Sequence, residues 1–276
     1  VDGLRITNSA DQIAQFEFAA VRSSESVRNA LQHVAVGVAE CDLERYLEGA
    51  GLPLSCHRNV GFGEKARRGL ASPSANRAQM GDAFTVSIGL WGSLTSRAGA
   101  VAYRETDLQW ALRDFYPRYV ANYYDVVVAW YEALRLGATG GEVCASVARR
   151  RDPALYDLAV NPGHCIHLEE WIHSLFEEGS PAVLRSGMAL QMDIIPVSRG
   201  PFCYSNCEDT LALADGCLRA ELAARHPGCW QRIQARRRFM TDVLGIGLDE
   251  CVLPLGNTPG WLPPYALDLG QAMVSR

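Results

Sequence analysis

The sequence predicts an α+β domain whose sheet is largely antiparallel. Two blocks of the chain, 81–105 and 188–215, each contain a pair of apolar, strand-like segments. Helical patterns precede the first block, separate the two blocks and follow the second. Strand pairs that are separated by helices in this way are typical of α+β proteins, in which hairpins build an antiparallel sheet.

The elements of the first half follow from periodicity and capping. Ser9 is a suitable N-cap, and Ile13, Phe16 and Ala20 begin an apolar stripe at helical spacing, so we expect a long helix over 9–36. Segment 52–80 is polar and rich in turn residues, and it has no clear period. The other predicted elements are a short helix over 40–50, strands over 81–92 and 97–105, and a helix over 107–136.

The second half has a similar order. A helix is expected after the Thr-Gly-Gly turn at 139–141, and a strand over 188–196 is stopped by Pro196. The tail, 245–276, is proline-rich and apolar, and we expect it to lie extended on the surface of the domain. The remaining elements are a strand over 208–215 and helices over 217–225 and 229–244.

Composition excludes several classes of function. The chain has 276 residues with a formal net charge of −5, so it lacks the basic surplus that binding to nucleic acid requires. No apolar run is long enough to cross a membrane, and we expect no membrane partner. The 9 cysteines are scattered, and Cys203 and Cys207 have no second pair at zinc-finger spacing. A reduced, cytoplasmic protein with one domain over 1–276 is the simplest interpretation.

One segment concentrates the side chains that can do chemistry. Residues 161–171, NPGHCIHLEEW, place His164 and His167 three apart and follow them with Glu169 and Glu170. Histidine titrates near neutral pH, and carboxylates bind hard cations. From these residues alone the segment is a metal site, an acid/base site or a region of histidine packing, and the three alternatives stay open.

Four motifs occur in order along the chain, together with a helix at 134–148. The motifs are GDAFTVSIG at 81–89, PGHCIHLEE at 162–170, GMALQMDIIP at 187–196 and EDTLALADG at 208–216. Their order and spacing resemble those of the creatinase / aminopeptidase P / prolidase family. The resemblance covers nearly all of residues 5–216 and implies the pita-bread fold, a curved and largely antiparallel sheet flanked by helices. It also implies a homodimer, and it leaves open whether a further domain precedes this chain.

The resemblance implies a set of metal-ligand positions. In metal-dependent members two aspartates, a histidine and two glutamates hold two divalent ions, which activate a water. The histidine is retained as His164 and one glutamate as Glu208, while the other glutamate position holds Asp193. The aspartate positions hold Ser87 and, if Arg97 matches the arginine of the family's turn, Leu94.

These departures argue against a two-metal centre. Leu94 has no lone pair to offer, and the position of the family's second catalytic histidine holds Trp171. We therefore expect no metal cofactor, although one weakly held divalent ion on His164, Asp193 and Glu208 is conceivable, because three protein ligands can hold a catalytic metal.

Further residues are candidates for binding a substrate. Arg97 could hold a substrate carboxylate through two parallel hydrogen bonds, and a structural ion pair is an equal alternative for it. The resemblance places segment 161–171 at the active cavity, so His167, Glu169 and Trp171 are candidates as well.

Three functions stay open. The preferred one resembles metal-free members of the family, the creatinase-like and ectoine-hydrolase-like enzymes: hydrolysis of a C–N bond in a small cationic substrate, with His164 as acid/base and Asp193 and Glu208 as charge partners. The second is a non-catalytic binding protein that keeps only the fold. The third is a metal-dependent Xaa-Pro aminopeptidase or dipeptidase with an altered site.

Overall fold

The computed structural model describes residues 3–201 and 205–275, so Cys203 lies outside the described residues. Within that part of the chain one seven-stranded sheet forms the centre of the molecule. Its strands are β1 (Leu54–Phe62), β2 (Ala83–Leu90), β3 (Ser93–Ala100), β5 (His164–Cys165), β6 (Ala189–Met192), β8 (Asn206–Leu213) and β9 (Val252–Pro254). A separate two-stranded sheet pairs β4 (Tyr156–Leu158) with β7 (Pro196–Ser198).

The strand order joins the two halves of the chain. The sheet runs β1-β2-β3-β8-β6-β5, with β9 added beside β8, and every pairing is antiparallel. Because β3 of the first half pairs with β8 of the second, residues from four sequence motifs reach one continuous surface. The predicted α+β class with a curved, largely antiparallel sheet is confirmed.

Helices cover this sheet. The first helix is fixed by a capping box between Ser9 and Gln12, and its buried Glu17 pairs with Arg232 and Arg236 on the last helix. These ion pairs link the first helix of the chain to the last one. The helices are α1 (Ala10–Gln32), α2 (Glu40–Glu44), α3 (Ala121–Ala133), α4 (Gly140–Arg150), α5 (Gly216–Arg225) and α6 (Pro227–Arg238).

Helix α3 supports the strands that carry the site. The buried hydroxyl of Tyr123 donates to the carbonyl of Ile194 at 3.1 Å and accepts from the backbone N–H of Cys207 at 3.0 Å. Both partners lie next to residues of the candidate site, so the packing of this helix sets the separation of β6 and β8.

Several predicted boundaries are wrong for identifiable reasons. Strand β1 lies in the segment without a clear period, because its pairing with β2 shifts register between Cys56 and Asn59 and so interrupts the alternation. Regular α-helix starts only at Ala121, after a π-turn over Phe115–Val120 that contains Pro117, which has no backbone N–H.

The tail is not an extended surface segment. It supplies β9, which pairs with β8, and the side chains of Leu253, Leu255 and Leu262 are buried in the core. A proline-rich sequence therefore completes the sheet here instead of lying on it. No helix among the described residues is long and apolar enough to cross a membrane.

Candidate active site

A buried row of polar side chains crosses the sheet. Asn59 on β1 stands opposite Ser87 on β2, Ser87 opposite Ser96 on β3, and Ser96 opposite Glu208 on β8. Directly paired residues of antiparallel strands project from the same face, so these four side chains form one line. All of them are buried, and the Asn59 amide donates to the Ser87 hydroxyl at 3.0 Å.

A second row carries the histidine. His164 on β5 stands opposite Gln191 on β6, and Gln191 stands opposite Thr210 on β8. The Thr210 hydroxyl donates to Gln191 Oε1 at 2.7 Å, and Gln191 Nε2 donates to the carbonyl of Leu94 at 2.6 Å. Leu94 therefore lies beside this row, while Ser96 holds the place between Ser87 and Glu208. Neither Leu94 nor Ser96 supplies a carboxylate. The family's second aspartate ligand is therefore missing here, whichever of these two positions corresponds to it.

The backbone before His164 explains how the imidazole is placed. Gly163 adopts a φ of +99°, and a Cβ there would lie 2.8 Å from the carbonyl of Gln191 and 2.9 Å from the ring of Trp130. Trp130 in turn donates its indole N–H to the carbonyl of Pro162 at 2.6 Å. Only glycine fits this close approach, which holds the start of β5 against α3 and the end of β6.

Three buried ligand-type side chains converge at the meeting point of the rows. One ligand atom each of His164, Asp193 and Glu208 lies within 4.8 Å of the others. His164 Nε2 is 3.8 Å from Asp193 Oδ2 and 3.3 Å from Oε1 of Glu170, which enters from the loop after β5. His164 Nδ1 lies 3.2 Å from the carbonyl of Cys165. A carbonyl can only accept, so Nδ1 carries the hydrogen in this contact and Nε2 is left to exchange a proton.

The electrostatics of the cluster favour a shared proton. Burial raises the pKa of Asp193 to about 7, with Glu170 adding to the rise and His164 opposing it. Burial also raises the pKa of Glu208 well above its usual value, and the neighbouring Asp193 and Glu170 raise it further. Adjacent buried carboxyl groups cannot all ionise cheaply, so the cluster holds at least one proton near neutral pH.

Several polar atoms of the site have no partner. Within the described residues, His164 Nε2, Asp193 Oδ1 and Asn59 Oδ1 are buried and make no hydrogen bond. An unpaired buried polar atom costs about 1–3 kcal/mol, so such a group at the centre of a polar cluster is expected to bind a ligand or water. These three atoms are therefore available to a ligand or a water.

Trp171 covers the histidine. Its indole stacks on the imidazole of His164 with ring centroids 4.1 Å apart and an interplanar angle of 28°. Trp171 stands at the sequence position where the family resemblance places a second histidine. It supplies an apolar wall there and no ligand atom.

The structure corrects the candidate role of Arg97. This side chain is fully buried, and its guanidinium bonds both oxygens of Asp209, at 2.9 and 3.0 Å, and the carbonyls of Glu208 and Trp261. Burial lowers the pKa of Arg97, and Asp209 more than compensates, so the pKa lies above its usual range. With its donors satisfied inside the chain, Arg97 is a structural ion-pair residue and not available to a substrate carboxylate.

Two other candidates lie apart from the cluster. His167 is buried edge-on against Phe16, with ring centroids 5.2 Å apart, and burial followed by the charge of Arg5 lowers its pKa. Glu169 is an exposed partner of Arg5. The structure thus brings together His164, Asp193, Glu208 and Trp171 of the predicted set, and it leaves Arg97, His167 and Glu169 outside.

Sequence analysis missed Glu170, Ser96 and Asn59 as members of the site. Glu170 directly follows Glu169 in the motif. The conformation of the loop brings Glu170 to His164 and Glu169 to Arg5. Ser96 and Asn59 depend on strand register, which the sequence did not specify. Cys56 on β1 lies near the same cluster, since burial, followed by the charge of Glu170, raises the pKa of its thiol.

Solved structures of dipeptidases, prolidases and aminopeptidase P share this arrangement of sheet and helices. The chain is 19% identical to an Xaa-Pro dipeptidase from Bacillus anthracis, covering 76% of this chain and 59% of that one with a TM-score of 0.61. It is 16% identical to a prolidase from Pyrococcus furiosus, covering 77% of this chain and 64% of that one with a TM-score of 0.63. It is 17% identical to a variant of Escherichia coli aminopeptidase P, covering 76% of this chain and 55% of that one with a TM-score of 0.61.

This chain has the pita-bread fold. The resemblance to the creatinase / aminopeptidase P / prolidase family is thereby confirmed at the level of the fold. The match spans about three-fifths of the length of the solved structures: it covers 59% to 64% of the matched chain in three of them. No family model matches the sequence, and no curated protein matches it.

The donor set does not fit a pair of divalent ions. Two ions need several carboxylates. In the row of paired residues that ends at Glu208, the neighbouring positions hold the hydroxyl side chains of Ser87 and Ser96. One ion fits better, because His164, Asp193 and Glu208 supply three ligand atoms within 4.8 Å of one another. If bound, such an ion would act as a Lewis acid on a substrate oxygen or water.

Proposed function

We propose that this protein hydrolyses a C–N bond in a small cationic substrate, without a two-metal centre. The observation that carries the proposal is the position of His164 Nε2, buried and unpartnered, 3.3 Å from Glu170 and 3.8 Å from Asp193. The pita-bread fold, shared with structures described as dipeptidases, prolidases and aminopeptidase P, supports a hydrolase.

The chemistry follows from the acceptors that surround Nε2. A water oxygen adds to the electrophilic carbon of the C–N bond while one of its protons passes to His164 Nε2. The C–N bond then breaks, and the histidine returns that proton to the leaving nitrogen. Asp193 and Glu208, whose raised pKa values keep a proton between them near neutral pH, donate a hydrogen bond to the oxygen that develops negative charge.

The decisive experiment compares His164→Ala with the wild type on a panel of small amides, amidines and guanidines, with and without EDTA. We expect turnover by the wild type that EDTA does not change, and a loss of about 10²–10⁴-fold in His164→Ala. Turnover that EDTA removes and manganese restores would instead favour a metal-dependent Xaa-Pro peptidase with an altered site, with one metal ion on His164, Asp193 and Glu208.

A non-catalytic binding protein is the other alternative. The stacked indole of Trp171 and the serine residues in the row with Glu208 favour it, because both reduce the catalytic equipment of the site. Saturable ligand binding without turnover of any panel member would support it. The homodimer and the cytoplasmic location stay predictions, and gel filtration with light scattering tests the dimer.

A further inference from the structure

A bulge on β1 explains part of the role of Asn59. The pairing of β1 with β2 shifts register between Cys56 and Asn59, which interrupts the regular ladder there. Asn59 Nδ2 donates to the carbonyl of His57, within this bulge, at 3.1 Å and to the hydroxyl of Ser87 on β2 at 3.0 Å. The donors of the amide are therefore used inside the fold, where they hold the bulge against β2.

The acceptor of the same amide is left over. Asn59 Oδ1 is buried and has no hydrogen-bond partner within the described residues. The orientation of the amide is fixed, because the carbonyl of His57 can only accept and must face the NH₂ group. Support of the bulge thus accounts for Nδ2 and not for Oδ1, and a buried acceptor without a donor is a position at which a ligand or a water is expected.

Ser87 supplies a complementary donor. Its Oγ accepts from Asn59 Nδ2, so the hydroxyl hydrogen must point to another group, and no acceptor for it is found among the residues that the structure describes. Both side chains are fully buried, and they project from the same face of the sheet as Glu208. Asn59 and Ser87, the neutral pair, therefore present one uncharged acceptor and one uncharged donor side by side.

The neutral pair lies beside the cluster of His164, Asp193 and Glu208. Ser96 separates Ser87 from Glu208 in the polar row, and two strand spacings place the backbones of Ser87 and Glu208 about 10 Å apart. That separation suits the two ends of one small molecule, with the bond to be hydrolysed at the cluster and a second polar group at the neutral pair.

Cys56 connects the neutral pair with the cluster from the other side. Its Sγ lies 3.8 Å from Asn59 Nδ2, and burial, followed by the charge of Glu170, raises the pKa of the thiol. Glu170 in turn lies 3.3 Å from His164 Nε2. Strand β1 and the loop after β5 thus approach each other across the curved sheet, so one bound molecule can contact both.

We propose that Asn59 and Ser87 bind an uncharged amide group of the substrate, at the end away from the bond that is hydrolysed. An N–H of this group donates to Asn59 Oδ1, and its carbonyl oxygen accepts from the Ser87 hydroxyl. A carboxylate has no hydrogen to give to Oδ1, and an ammonium group cannot accept from Ser87. In assigning the amide to a substrate, the inference rests on the proposed hydrolase function; as a binding site for amides it stands by itself.

Titration of the protein with propanamide, followed by NMR of the ligand, tests the proposal. We expect Ser87→Ala and Asn59→Leu each to weaken binding about tenfold, and Ser87→Thr, which keeps the hydroxyl, to retain most of it. Propanoate and 1-propanol should bind the wild type at least about fivefold more weakly than propanamide. Asn8→Leu is the matched control, with affinity within about twofold of the wild type. Asn8 is likewise a buried asparagine whose Oδ1 has no partner within the described residues, but its amide bonds to Gly187, away from the neutral pair.

Failure of the wild type to bind propanamide would overturn the proposal, as would equal affinity for propanoate or 1-propanol. Unchanged affinity for propanamide in Ser87→Ala would overturn it too. Circular-dichroism melting identifies a folding defect, and the comparison of Ser87→Ala with Ser87→Thr decides if Asn59→Leu does not fold, because Asn59 also supports the bulge. Binding through the neutral pair without turnover of any C–N substrate would leave this inference standing and refute the hydrolase; turnover with no binding of propanamide would do the reverse.

Discussion

The indole of Trp171 lies flat on the imidazole of His164, with 4.1 Å between ring centroids. The same histidine keeps Nε2 free of hydrogen-bond partners within the described residues and close to two carboxylates. The imidazole thus has an apolar cover on one face and two carboxylates near Nε2. Under the proposed hydrolase function, proton transfer between His164 and Glu170 or Asp193 is the expected chemistry.

The buried carboxyl groups predict a characteristic dependence of stability on pH. The pKa of Asp193 is raised to about 7 by burial, above an unfolded value of about 4. Between these values the folded state binds more protons, so the free energy of unfolding falls as pH rises from about 4 to 7. We expect Asp193→Asn to flatten this fall and to raise the melting temperature at pH 8. Glu64→Gln, at an exposed carboxylate, is the control, and the same slope in Asp193→Asn and wild type would contradict the assignment.

Replacement of Arg97 tests its structural role. Asp209 is buried against this guanidinium at 2.9 Å, so Arg97→Met leaves an uncompensated buried charge. We expect unfolding free energy to drop by about 3–5 kcal/mol, measured by urea denaturation. The double variant Arg97→Met with Asp209→Leu should recover part of that loss. Ligand affinity per folded molecule should stay unchanged, and a selective loss of affinity for carboxylate ligands would restore the binding role.

Glu40 predicts acid sensitivity elsewhere in the fold. Its buried carboxylate accepts from the backbone N–H groups of Phe62 and Ser74, both at 2.9 Å, and pairs with Lys65. Burial would raise the pKa of Glu40, but these donors outweigh burial and lower it. A lowered pKa gives stability that is present at neutral pH and lost as pH falls below about 4.

We therefore expect Glu40→Gln to cost about 2–4 kcal/mol at pH 7 and less at pH 3, measured by chemical denaturation. Glu48→Gln, a nearby exposed carboxylate, should change stability by less than about 0.5 kcal/mol. A cost that is the same at both pH values would show that the charge of Glu40 is not the stabilising feature.

Strand register predicts how a two-metal centre could be rebuilt. Ser96, not Leu94, stands between Ser87 and Glu208 in the polar row. We expect the double variant Ser87→Asp with Ser96→Asp to bind two manganese ions per chain, since carboxylates at these places would face Glu208. Ser87→Asp with Leu94→Asp should bind at most one manganese ion. Mass spectrometry of the metal-loaded native protein measures the number of ions per chain in each double variant. Two ions in the Leu94 variant and fewer in the Ser96 variant would reverse the assignment of the second aspartate position.

The sequence by itself determined the class of fold and the central histidine. Apolar periodicity and turn residues specify helices and most strands because each depends on neighbours along the chain. The order of the motifs was sufficient to predict the pita-bread fold, the retention of His164 and Glu208 and the absence of an aspartate at position 87. These features need only residue identities and spacing.

Only the tertiary structure decided which polar residues face one another. Glu169 and Glu170 are identical in type and adjacent in sequence, yet one pairs with Arg5 and the other with His164. Arg97 is enclosed by Asp209 and by the carbonyls of Thr258 and Trp261, which lie more than 160 residues further along the chain. Register between strands and the direction of a loop arise from long-range packing, because shifting a strand by one residue turns every side chain to the other face.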